Sequence, residues 1–91
     1  MLEIFVRPRA EEDIKNIWLY SFENWGEQQA DIYINGVEEA MKNIAESSKI
    51  GTQIDHIREG YRQYQYNHHL IFYIPTPTTI EISRILHERM D

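Results

Sequence analysis

The chain has 91 residues, of which 42% are hydrophobic and 26% charged, and a formal net charge of −6. That length makes a single domain over residues 1–91 with a modest core, and its supply of aromatic and branched residues excludes a disordered chain. The absence of cysteine excludes disulfides, thiolate nucleophiles and zinc–thiolate sites.

Leu2, Ile4 and Val6 alternate with Glu3, Phe5 and Arg7, which predicts a first strand. Pro8 suits the opening turn of a helix, and Glu11, Glu12 and Asp13 favour the positive end of its dipole. Ala10, Ile14, Ile17, Trp18, Ser21 and Trp25 recur at helical spacing, and Gly26 then stops the helix. A second periodic run, Ala30, Tyr33, Ile34, Val37, Ala40, Met41 and Ile44, starts at once. Two helices, over 9–25 and 27–47, therefore form an antiparallel hairpin with almost no join. Gly36 costs the second helix about 1 kcal/mol relative to alanine.

Residues 47–55 read as a loop containing Gly51. Three strands follow, over 61–66, 69–74 and 79–86. Asn67-His68 supplies the first turn between them and Pro75-Thr76-Pro77-Thr78 the second, because proline cannot continue a ladder. The predicted fold is α+β: a strand, a helix hairpin, then a three-stranded antiparallel meander, with the helices on one face of one sheet.

The strand over 69–74 is apolar on both faces, with Leu70, Phe72 and Ile74 on one and Ile71 and Tyr73 on the other. The hairpin is expected to cover one face through Ile14, Trp18, Val37, Met41 and Ile44. Phe5, Ile71, Tyr73 and Ile85 are then expected to face outward as a docking surface for a partner. Loops or a second copy covering that face are the alternative.

The charge is unevenly placed. Residues 1–47 carry ten acids and four bases, whereas residues 48–91 carry five of each and all four histidines. An acidic protein gains nothing from bulk attraction to phosphate, so sequence-specific nucleic-acid binding is not expected. No apolar run approaches the ~20 residues that span a bilayer, and no basic-then-apolar leader is legible; a cytoplasmic protein is expected. No cofactor motif is present. His56, His68 and His69 lack metal-ligand spacing, because neighbours on a strand point to opposite faces.

Arg62, Arg84, His87 and Arg89 are the polar residues best suited to chemistry. Arginine forks hold phosphate or carboxylate, and histidine exchanges protons near neutrality. Arg62, Arg84 and His87 together suit a ribonuclease-like site. The alternative is that the arginines pair with acids such as Glu81 or Asp91.

Several segments, in order, resemble ParE toxins of the RelE/ParE toxin–antitoxin superfamily. These are Arg9-Ala10-Glu11-Glu12-Asp13-Ile14 with Ile17-Trp18; Trp25-Gly26 before Ala30 and Tyr33; Ile50-Gly51; Gly60-Tyr61-Arg62; Ile71-Phe72-Tyr73; and Ile85-Leu86-His87-Glu88-Arg89-Met90-Asp91. The resemblance implies a toxin that stabilises a plasmid or genome. It implies neutralisation by a ParD-like antitoxin in a hetero-oligomer, and inhibition of DNA gyrase by binding. Arg62, Arg84, His87, Arg89, Met90 and Asp91 become candidate target contacts, and Phe5, Ile71, Tyr73 and Ile85 candidate antitoxin contacts. A ribosome-dependent messenger-RNA endoribonuclease of the RelE type is the alternative, with a non-toxic antitoxin-binding relative as a third. The ending Arg-Met-Asp, where many such nucleases carry tyrosine, weakens the nuclease reading.

Overall fold

The computed structural model describes residues 1–89. Strand β1 (Glu3–Val6) leads into helix α1 (Pro8–Trp25) and helix α2 (Glu27–Glu46). Strands β2 (Thr52–Gln53), β3 (Arg62–Tyr66), β4 (His69–Pro75) and β5 (Thr79–His87) follow. The α+β architecture is the one predicted, and the helices pack on one face of the sheet.

Gly26 alone separates α1 from α2. Its φ of 90° and ψ of 171° lie in a region open essentially to glycine, which lets the chain reverse in one residue. The hairpin is then held by side chains. Trp18 stacks on Phe22 at 5.1 Å, and its indole N–H donates to Asp31 of α2 at 2.9 Å. Gly36 also has its explanation: a Cβ there would coincide with the Tyr66 hydroxyl, so α2 approaches β3 only where it lacks a side chain.

The sheet order is β1-β5-β4-β3-β2. Strands β2 to β5 run antiparallel, with Asn67 at φ 49° making the tight β3–β4 turn. Strand β1 joins the far edge in parallel, pairing Glu3 with Thr79 through Val6 with Ile82. It ends there, so β5 from Ser83 to His87 has no strand on its outer side. A bulge near Ser83 shifts the β4–β5 register, passing from Phe72↔Arg84 to Tyr73↔Ile82.

The core is built from Ala10 and Ile17 of α1, Val37, Ala40, Met41 and Ile44 of α2, and Ile71, Tyr73, Ile80, Ile82 and Ile85 of the sheet. Tyr73 is the largest fully buried side chain. Its hydroxyl accepts the Gly51 N–H at 2.9 Å and donates to the Ser48 carbonyl at 2.8 Å, pinning the 47–53 loop to the sheet. Burial raises the pKa of this phenol and keeps it neutral.

These positions overturn the expected orientation of the sheet. Ile71, Tyr73 and Ile85 face the helices and are almost completely buried; of the four residues expected to point outward, only Phe5, 53% exposed, does so. Period-two alternation sorts a strand into two sets but does not say which set meets the helices. The apolar run Ile80, Ile82 and, across the bulge, Ile85 decides it for β4. Leu70, Phe72 and Ile74 form the half-buried outer set. Among the described residues no helix is long and apolar enough to cross a membrane.

Candidate functional site

The open half of β5 borders a concavity. The hairpin apex overhangs the end of the sheet and leaves a cleft of about 980 Å³. Helix α1 lines it with Ile17, Tyr20 and Trp25, helix α2 with Gln29 and Tyr33, and the sheet with His69, Leu86 and His87. Apolar surface dominates. Trp25 is 63% exposed and Tyr20 61%, and the two rings meet edge to face at 5.8 Å. Large aromatic groups held together at the mouth of a concavity are the usual anchors of protein–protein contacts.

Asp13 organises the cleft's inner wall. One carboxylate oxygen accepts from Arg84 Nε at 2.8 Å and from the Ile85 N–H at 2.9 Å; the other accepts from Arg84 Nη2 at 3.0 Å. The Ile85 N–H belongs to the strand edge that β1 leaves open, so a side chain of α1 does there what a neighbouring strand would do. Asp13 also raises the Arg84 pKa, first through this hydrogen bond.

Three imidazoles gather where the β3–β4 turn meets the end of β5. The His87 ring lies 5.3 Å from that of His69 and 6.2 Å from that of His68. His68 pairs with Glu88 at 2.7 Å, and Gln65 donates to the same carboxylate at 3.0 Å. His69 is half-buried, with Nδ1 2.6 Å from the Tyr33 hydroxyl. Sequence spacing placed His68 and His69 on opposite faces; the turn and β5 bring both beside His87.

Burial pushes the His69 imidazole below its ordinary 6.5, and repulsion from His87 and His68 adds to the effect. The unfolded chain therefore takes up this proton first as pH falls. The folded state keeps its full stability above 6.5 and loses it progressively below, down to the depressed folded value. Glu88, whose pKa is lowered by its hydrogen bond to His68, contributes in the same direction only lower on the scale. Thermal unfolding should thus show a lower midpoint at about pH 5.5 than at about pH 7.5, and His69→Gln should narrow that gap. An unchanged gap in the variant would place the acid sensitivity elsewhere.

The candidate catalytic set does not converge. Arg84 and His87 line the cleft. Arg62 lies toward the opposite edge, donating to the carbonyls of Gly51 at 2.6 Å and Lys49 at 3.3 Å. Neither arginine pairs with Glu81, which binds Arg7 at 2.8 Å beside Phe5 on the outer face. The Arg89 backbone N–H donates to His87 Nδ1 at 3.2 Å, and Met90 and Asp91 lie outside the described residues. Sequence reasoning missed Asp13, Tyr20, Trp25 and Tyr33 as site residues. Asp13 read only as a helix-start acid, Trp25 and Tyr33 fitted amphipathic stripes, and Tyr20 fell outside them.

A family model described as the ParE toxin of the type II toxin–antitoxin system parDE matches residues 4–91. Toxin ParE1 of Mycobacterium tuberculosis is 36% identical over 85 residues, covering 92% of this chain and 87% of that protein. Toxin ParE1 of Caulobacter vibrioides is 35% identical over 83 residues, covering 91% and 85%. Among solved structures, a chain from the chromosomal ParDE system of P. aeruginosa superposes with a TM-score of 0.83 at 17% identity, with 96% of each chain covered. The Staphylococcus aureus YoeB dimer gives 0.67 at 22% identity, covering 94% of this chain and 95% of that one, so the same fold recurs there. With residues 4–91 matched by the family model and more than nine-tenths of the chain covered by relatives above one-third identity, the chain belongs to the ParE toxin family of type II toxin–antitoxin systems.

Proposed function

We propose that this toxin acts by binding rather than by catalysis, that DNA gyrase is its target, and that a ParD-like antitoxin neutralises it by seating an apolar segment in the cleft. The observation that carries the binding reading is the fate of the two arginines. Arg84 is held in a two-pronged pair by Asp13, and Arg62 is spent on loop carbonyls toward the other edge. A phosphodiester-cleaving site needs its cations and its acid/base group around one reacting phosphate. The cleft instead presents exposed aromatics on a mainly apolar wall, which suits an apolar peptide segment. Gyrase follows from the resemblance to ParE toxins.

Purified toxin should impair gyrase supercoiling or trap cleaved DNA, and added antitoxin should restore normal turnover. Unimpaired supercoiling at saturating toxin, with new messenger-RNA ends in growth-arrested cells, would replace this reading with the nuclease one.

A further inference from the structure

The histidine cluster sits at the mouth of the cleft with an unbalanced set of partners. Three imidazoles share one carboxylate, Glu88, already engaged by His68 and Gln65. The cleft's other charges cancel: Arg84 from β5 and Asp13 from α1 satisfy each other. From α2, Tyr33 faces His69 as a neutral phenol, since burial raises its pKa. Its hydroxyl can donate to His69 Nδ1, and in that tautomer Nε2 is the N–H nitrogen of the neutral ring. His87 is set the same way, with Nδ1 accepting the Arg89 N–H. Two N–H donors in an apolar, aromatic-lined cleft are thus left without an anionic acceptor among the described residues.

A second proton on His69 meets a hydroxyl that rotates from donor to acceptor. In the free protein burial opposes that charge; a carboxylate in the cleft would remove the opposition.

We propose that the antitoxin segment seated in the cleft places a carboxylate against His69 and His87, so that complex formation takes up a proton at His69 and tightens as the medium becomes more acidic. This rests on the toxin–antitoxin reading above and names the chemistry of the partner at this end of the cleft: an aliphatic segment carrying an aspartate or glutamate.

The test is the dissociation constant of the full-length chain with the antitoxin encoded beside it, measured at about pH 8, 7 and 6. Binding about fivefold to tenfold tighter at pH 6 than at pH 8 is expected for one linked proton, with His69→Gln flattening the dependence. Calorimetry of the unaltered pair in buffers of different ionisation enthalpy counts the proton independently, so the question stays answerable if His69→Gln fails to fold. An acidic-to-amide scan of the antitoxin's cleft-binding segment should contain one substitution that also flattens the slope. Equal affinity across the range with no proton uptake overturns the inference while leaving the toxin–antitoxin reading intact. No binding at any pH overturns that reading.

Discussion

Replacing Tyr73 by alanine is expected to cost about 5 kcal/mol, enough to leave a domain of this size largely unfolded. Truncating a fully buried aromatic ring costs about 3–5 kcal/mol through lost transfer energy and the cavity left behind. Tyr73 adds a second loss, because the Gly51 N–H and the Ser48 carbonyl both depend on its hydroxyl. A buried group left without a partner costs about 1–3 kcal/mol. Tyr73→Phe separates the two contributions: the ring stays, the loop loses its pin, and denaturant unfolding should report only that second loss. Tyr73→Ala as stable as the wild type would contradict the burial that defines this core.

Asp13→Ala has the next largest expected effect, about 2–4 kcal/mol. It strips Arg84 of both its carboxylate contacts and leaves the Ile85 N–H open on the strand edge. The Arg84 side chain retains 30% exposure, so water recovers part of the loss and the effect falls short of that for a fully buried pair. Asp13→Asn keeps one oxygen for the Ile85 N–H and should recover about half of the stability, as judged by the denaturant midpoint. Equal destabilisation by alanine and asparagine would show that charge alone matters; no destabilisation by either would show that the edge does not need its cap.

The contrast between these two residues marks what was legible in the sequence. The hairpin was legible because helical periodicity is local and Gly26 breaks it at one residue. The strands of the meander were legible from alternation and from the turns at Asn67 and Pro75-Thr76-Pro77. The two-residue β2 was not, being too short to alternate. The parallel docking of β1 on β5 was not, because nothing local tells a strand its distant neighbour. Face choice on β4 failed since both faces are apolar and the deciding residues lie on β5, where the bulge near Ser83 also changes the alternation. The cleft is non-local in the same sense: Asp13 and Arg84 are 71 residues apart, and Tyr33 and His69 are 36 apart.

Seating of the antitoxin in the cleft under the hairpin apex has its sharpest test at Trp25. This residue lines the cleft yet is 63% exposed, so its removal should barely alter the stability of the free toxin. Affinity of the adjacent-gene antitoxin for Trp25→Ala should fall by about thirtyfold or more, the loss of about 2 kcal/mol that marks an aromatic anchor, with the unfolding midpoint unchanged. Affinity within about twofold of the wild type, only about 0.4 kcal/mol, would contradict the account and place the antitoxin on another surface.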